Sequence, residues 1–345
     1  MTTIKDIARL AGVSVSTASL ALNNKTGVSK ATRQRVLAAA EQLRYIPNSS
    51  ARSLITRRSN RIGLVVTDIT NPCFGMLTKE ISTWARNSGY DLQIGLSDDL
   101  MALEKSAVER LMEERVEGIV LVPTIQSEYD LSHLYKLSTH GIPMVFTTAA
   151  YNGLSKDCVM CDMGKGTYLL TQHLLRSGHR RIFMIAGSQR AMYSSMRIEG
   201  CKRAFAEANL PFSDGWIIES TPTWSGGYEA AQRIVRDLPD AIMTVNDVMA
   251  MGVLKYLKEH HIRVPQDVSV AGYDDLDYTC ILETPLTTVR QPVGDIARRT
   301  IECLVARIQG SQQPEQTYYV DPILKIRDTT APRTSDAPVH RKNIP

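Results

Sequence analysis

Residues whose types and spacing could do chemistry fall into a few groupings. Cys158-x-x-Cys161 has the spacing of half a zinc ribbon, but such a site takes four ligands and no second pair follows. In an extended segment the two thiols would also point to opposite faces. Gly164-x-Gly166 lacks the third glycine of a dinucleotide fingerprint. His260-His261 closes a helical pattern and reads as surface. The sequence holds no Walker loop, no His-Glu-x-x-His and no nucleophile-elbow serine. No catalytic residue or metal ligand is expected, nor any cofactor, and an enzyme is disfavoured.

The charge distribution points elsewhere. Residues 1–61 hold eleven Lys and Arg against Asp6 and Glu41, a charge of +9. The other 284 residues, with 29 basic and 34 acidic side chains, carry −5. A basic head on an acidic body suggests a polyanion as partner of the head alone. A solvated basic tail would lack apolar periodicity, and this head has it.

The elements that must position these charges are short helices. Thr3 can cap a helix with Asp6 three residues on, leaving Ile4, Ile7, Ala8 and Ala11 as one apolar stripe. Gly12-Val13 breaks it. Ser14 caps a second helix running to about Asn23, with Ala18, Ala21 and Leu22 inward. Ser29 caps a third, with Val36, Ala39, Ala40 and Leu43 as its stripe. Two helices joined by a short glycine-containing turn make a helix-turn-helix, whose second helix enters the DNA major groove. At its leading edge Val15 can meet a thymine methyl and Ser16 can hydrogen-bond a base; Ser19, Leu20 and Asn23 also face outward. Val15, Ser16 and Leu20 are the expected base readers. Thr3, Ser14, Thr17, Asn23, Ser29 and Thr32 are the expected contacts to the DNA backbone.

A chain of 345 residues exceeds one ordinary core. With 43% hydrophobic and 22% charged residues its composition is globular. The apolar runs at 62–66 and 118–122 fall well short of the roughly 20 residues a membrane span needs. No signal segment opens the chain, and its six cysteines form no disulfide framework. The expectation is a cytoplasmic protein with no membrane partner.

Ile4-Lys5-Asp6-Ile7-Ala8 followed by Ala11-Gly12-Val13-Ser14-Val15-Ser16-Thr17 resembles the opening of the LacI/GalR family of bacterial transcriptional regulators. Arg44-Tyr45-Ile46-Pro47-Asn48 continues the likeness. So do Asn246-Asp247, Gly272-Tyr273-Asp274-Asp275, Pro285-Leu286-Thr287-Thr288-Val289 and Gln291-Pro292, over residues 3 to about 328. The resemblance implies a head at 1–46, a hinge helix and linker at 47–60, a two-lobed periplasmic-binding-protein-like α/β core at 61–328, and a tail at 329–345. Lobe 1 would take about 61–161 and 292–320, and lobe 2 about 163–290 and 322–328, with crossovers near Asp162, Arg290–Gln291 and Asp321. The resemblance also implies that Asn48, Ala51, Arg52 and Leu54 form the hinge, with Leu54 as the minor-groove wedge.

The body's own patterning agrees with two α/β lobes. Apolar runs at 61–69, 90–97, 116–123 and 143–148, then at 181–187, 216–220, 241–246 and 268–272, read as buried parallel strands with helical patterns between. Lobes of this kind hold ligands at the carboxyl ends of their strands. By resemblance Arg197, Asn246 and Asp274 hold a sugar-like effector, with Trp224 and Phe74 as aromatic neighbours. Asp accepts from neighbouring hydroxyls and Arg offers a rigid donor fork.

The chain departs from the family pattern in three places. Thr148-Ala149 stands where Asp-Arg is usual, Cys73 where an aromatic is usual, and Leu20 where many members carry Arg. Thr148 is kept as a candidate effector contact. Residues 329–345 have three prolines and no heptad pattern, so a disordered tail and a homodimer, not a tetramer, are expected. The function expected is a repressor of a carbohydrate-utilisation operon, bound to palindromic double-stranded operator DNA and controlled by a sugar or sugar derivative. When bound it would be associated with the nucleoid. Alternatives are a purine-type corepressor-dependent regulator and a cytosolic sugar-binding protein with no DNA role.

Overall fold

The computed structural model describes residues 2–45, 58–124, 130–188 and 192–333. The chain divides into two units, Met1–Ser59 and Asn60–Pro345. The first carries α1 (Ile4–Ala11), α2 (Val15–Leu22) and α3 (Lys30–Gln42). Each begins at its expected cap. The backbone N–H and hydroxyl of Thr3 donate to Asp6 at 3.0 and 2.7 Å, Ser14 accepts from Thr17 N, and Ser29 accepts from Thr32 N. Gly12 closes α1 in the left-handed region at φ 63°, where a side chain would be strained. The core is Ile7, Ala8, Ala11, Ala18, Ala21, Val36 and Ala39, and its alanines let the three helices approach closely.

The second unit alternates strands and helices. In chain order its elements are β1 (Arg61–Val66), α4 (Pro72–Asn87), β2 (Asp91–Leu96), α5 (Met101–Glu113), β3 (Ile119–Leu121), α6 (Ser132–Thr139), β4 (Met144–Thr147) and β5 (Cys158–Cys161). There follow α7 (Met163–Arg176), β6 (Ile182–Ala186), α8 (Met192–Glu207), β7 (Ile217–Glu219), α9 (Trp224–Ile234), β8 (Ala241–Thr244), α10 (Asp247–Glu259) and β9 (Ser269–Ala271). The last are β10 (Thr288–Arg290), α11 (Val293–Ile308), β11 (Thr317–Val320) and β12 (Ile323–Lys325).

One parallel sheet has the order β11-β5-β4-β3-β1-β2 and a second the order β7-β6-β8-β9. β1 shows why such strands read as unbroken apolar runs. Ile62, Leu64 and Val66 enter the core that holds Leu77 and Ile81 of α4, while Val65 enters the one that holds Val108 and Leu111 of α5. Gly63 lies beneath α5, where a Cβ would stand 2.7 Å from Leu111 Cδ1 and force that side chain to shift. Cys158 and Cys161 fall in different cores, on opposite faces of β5.

The chain leaves the first sheet after β5, returns to it at β11, and leaves it again for β12, which pairs antiparallel with β10. Asp162 caps α7 by accepting from Lys165 N at 2.8 Å, and its own N–H donates to Val320 O. The segment after β12 corrects the expected boundary at 328. Thr329 O accepts from Val270 N, and Thr329 Oγ1 accepts from Thr287 N at 2.8 Å. Thr330 Oγ1 lies 3.0 Å from His173 Nε2, and Arg333 pairs with Asp240 at 3.1 Å. The packed body therefore reaches Arg333. Its composition looked tail-like because threonine hydrogen bonds, not apolar contacts, hold it.

Candidate functional site: the head and the interlobe cleft

In the head, Val15 is 43% exposed at the start of α2, with Ser16 exposed beside it. Leu20 is half-buried. The hydroxyl of Ser14 lies 2.8 Å from both Ser16 Oγ and Thr17 Oγ1, which groups the polar atoms at the helix's leading edge. Asn23 donates to Ser19 O at 2.8 Å and closes α2. Thr3, Ser14 and Ser29 each stand at a helix N-terminus, where unpaired N–H groups and the helix dipole favour an anion. Lys5, Arg9, Lys25, Lys30, Arg35 and Arg44 are exposed. Arg33 is different: it donates to Lys25 O at 2.6 Å and to Asn24, tying down the turn after α2. Charge counting assigned it to the polyanion and missed this use. Asn48, Ala51, Arg52 and Leu54 lie outside the described residues.

In the body, every candidate effector residue follows the carboxyl end of a strand: Phe74 after β1, Thr148 after β4, Arg197 after β6, Trp224 after β7, Asn246 after β8 and Asp274 after β9. Arg197, on α8, is 6% exposed, and its Nε is buried without a hydrogen-bond partner. Its guanidinium lies 4.5 Å from the Tyr273 ring centroid and 5.6 Å from that of Tyr193. Asp274 is 5% exposed at φ 111°, and its Oδ1 accepts from Gln291 Nε2 at 2.6 Å. Burial raises its carboxyl to about 6, a rise that Gln291, Arg197 and Cys73 restrain. Burial also pushes the Cys73 thiol up, and the charge of Asp274 adds to it.

The other candidates sit differently. Asn246 accepts from Met249 N at 2.8 Å and donates to Pro222 O at 3.0 Å, so its side chain caps α10 and ties the loop before α9. Trp224 opens α9, 45% exposed, with one face stacked on Tyr228. Thr148 holds φ 67° and donates its N–H to Val159 O, with its side chain half-buried. Phe74 packs against the larger core.

Sequence reasoning missed the shell that sets Asp274. Asp247 is fully buried; it accepts from Thr288 Oγ1 at 2.6 Å and from Leu276 N at 2.9 Å. Burial pushes its carboxyl well up, with Asp274 adding to the rise. Gly272 makes room, since a Cβ would stand 2.2 Å from Asp247 Oδ1. Asp275 pairs with Arg290 at 2.6 Å and with Arg327. The runs Asn246-Asp247 and Gly272-Tyr273-Asp274-Asp275 marked these positions without revealing who bonds whom. A second buried carboxylate, Glu104 in lobe 1, accepts from Tyr151 OH at 2.5 Å and Thr124 N at 3.0 Å, and lies 2.9 Å from His133 Nε2. Among the described residues no group of three or more His, Cys, Asp or Glu could hold a metal ion. No helix among them is long and apolar enough to cross a membrane.

The pattern of bacterial regulatory proteins of the lacI family matches residues 3–48, and that of a periplasmic binding protein-like domain matches residues 171–330. The chain is 32% identical over 329 residues to the HTH-type transcriptional repressor PurR of Photobacterium profundum, covering 95% of this chain and 98% of that one. The Lac repressor dimer bound to operator and the anti-inducer ONPF superposes at a TM-score of 0.85 and 25% identity, covering 96% of this chain and 99% of that one. A complex of the transcriptional regulator CelR with cellobiose gives a TM-score of 0.71 and 26% identity, covering 95% and 100%.

Proposed function

The chain belongs to the LacI family and is a DNA-binding transcriptional repressor, not an enzyme, and on that premise we propose that two copies grip one palindromic operator under the control of a small polar effector held by Arg197 and Asp274. The observation that carries the effector assignment is the Arg197 guanidinium. A buried guanidinium whose Nε has no hydrogen-bond partner is costly, and a ligand that supplies an acceptor there removes part of the cost. Asp274, a few residues beyond β9 of the same sheet, offers a carboxylate for the ligand's donors.

Two effector classes compete. A sugar or sugar derivative suits a paired guanidinium and carboxylate, and the CelR relative is titled as a cellobiose complex. A purine-type corepressor is favoured by relatives named PurR, which match at higher identity than CelR does. The free face of Trp224 can stack on either. Calorimetric titration of the full-length protein with mono- and disaccharides and with purine bases and nucleosides decides between them. Binding by neither class would overturn the effector assignment.

The operator contact follows from the head. Val15 and Ser16 read base edges, and exposed lysines and arginines take phosphates. The homodimer rests on lobe 1, where Ile94 and Leu96 on the sheet-edge strand β2 are 41% and 42% exposed and Leu100 is 50% exposed. An apolar sheet edge of this kind is stabilised by a second copy. Effector binding shifts the lobe angle and with it the spacing of the two heads. Selection of the purified protein on random DNA duplexes, followed by sequencing, tests this. A palindrome of roughly 16–20 base pairs is expected, and sequence-independent retention with every effector tried would count against base reading.

A further inference from the structure

Beyond β9 the chain turns through two residues that both hold left-handed backbone, Asp274 at φ 111° and Asp275 at φ 57°. Aspartate tolerates the second value, but the first lies outside that narrow well and strains any side chain. Such strain persists only where the surroundings over-determine it. The turn's own amides supply part of the hold. Asp274 N–H donates to Val289 O at 2.8 Å, and Leu276 N–H donates to Asp247 Oδ2 at 2.9 Å. The rest comes from the Asp275 carboxylate, whose side chain is 2% exposed. Its Oδ2 accepts from Arg290 Nε at 2.6 Å, and its Oδ1 accepts from Arg327. Arg327 also donates to Leu286 O at 2.8 Å, which braces the far end of the same loop.

We propose that Asp275 is a positioning residue of the effector site: through its carboxylate, Arg290 and Arg327 hold the strained turn that presents Asp274 to the ligand. The proposal rests on the effector assignment above and names what fixes that site's carboxylate. The two neighbouring aspartates divide the roles. Asp274 turns to Gln291, which donates to its Oδ1 at 2.6 Å, and keeps acceptor capacity for a ligand. Asp275 turns to the two arginines and is occupied by them. Both arginines stand where the chain passes between the sheets. Arg290 ends β10, from which the chain runs to α11, and Arg327 follows β12, on the return from β11. The turn that carries Asp274 is thus fastened to two crossovers at once.

Hydrogen exchange of the full-length protein, read peptide by peptide by mass spectrometry, tests the clamp without any ligand. Arg290→Met removes one arm at a half-exposed side chain, so the fold survives even if a variant of buried Asp275 does not. It is expected to speed exchange of the 274–276 amides at least about five-fold, while β6 and β8 exchange as in the wild type. Rates at those amides within about two-fold of wild type would overturn the clamp. A double-mutant cycle separates positioning from plain stabilisation. Asp274→Gly removes the strain, so Asp275→Asn should raise the unfolding constant at least about five-fold less in that background than in the wild type. Equal effects in the two backgrounds would reduce Asp275 to a structural ion pair. Affinity gives the remaining readout. In titrations with the saccharides and purines named above, Arg290→Met should bind at least about five-fold more weakly than the wild type at an unchanged thermal midpoint. Affinity equal to the wild type would overturn the positioning role. A wild type that binds none of these compounds would instead sink the effector assignment, and would leave the exchange and unfolding ratios as they are.

Discussion

The guanidinium of Arg197 lies 4.5 Å from the ring centroid of Tyr273, and its Nε faces no acceptor. The ring offsets part of the cost of burying the charge, and a ligand is left to offset the rest.

Replacing Arg197 therefore separates binding from stability. Arg197→Leu should abolish effector binding, a loss of at least about 100-fold, because a charge-assisted donor fork is removed. Its unfolding midpoint should stay close to that of the wild type, since relief from burying the charge and loss of its attraction to Asp274 offset one another. Calorimetric titration and thermal unfolding on the same preparation check both.

Asp274 carries a pH signature of definite sign. Its carboxyl is raised in the folded protein to about 6 from 3.8, so the folded state holds the proton more firmly than the unfolded one. Stability is full below pH 3.8, falls as pH rises through about 6, and levels off above. The two-unit shift bounds the cost at pH 7 to about 3 kcal/mol. Asp274→Asn should recover much of that and lose the effector; urea unfolding at pH 5 and 7.5 reads it.

His173 and His179 act in the opposite direction. Burial lowers both below the ordinary 6.5. His179 Nδ1 lies 2.9 Å from Leu174 O and its Nε2 2.9 Å from Ser269 Oγ, and desolvation of the buried ring is what favours its neutral form. As pH falls below about 6.5 the unfolded chain takes up protons first and stability declines. In His179→Asn the slope of unfolding free energy between pH 7 and 5.5 should be shallower than in the wild type.

Glu104 holds the strand-end loops of lobe 1. With Tyr151, Thr124 and His133 all bonded to a fully buried carboxylate, Glu104→Ala leaves several donors unsatisfied. A loss of about 3 kcal/mol is expected in equilibrium unfolding. A loss below about 1 kcal/mol would mean that the network contributes little.

For the head, Val15→Ala should weaken binding to the selected operator by about ten-fold, the value of one apolar base contact, and leave random-sequence binding unchanged. Fluorescence anisotropy on both duplexes at one fixed salt concentration gives the comparison. Equal losses on both would show that Val15 does not read bases.

The three head helices were legible in the sequence because their signals are local. Thr3 with Asp6, Ser14 with Thr17 and Ser29 with Thr32 each bond across three residues, so spacing alone announces the caps. The buried strands were legible as apolar runs, and the family resemblance marked Arg197, Asn246 and Asp274 beyond their carboxyl ends. What spacing could not supply is the choice of partner between distant residues. Gln291 reaches Asp274 across 17 positions and Cys73 across 218. Thr329 and Thr330 looked like tail until Thr287 and His173 stood opposite them. Arg33 counted only as one charge of the basic head, and its bond to Lys25 O at 2.6 Å gives it a place in the turn after α2. Local backbone preference determined the elements and the family's frame; burial determined which polar groups had to find each other, and only the packed tertiary structure decides that, because desolvation makes an unmet partner costly wherever in the chain it lies.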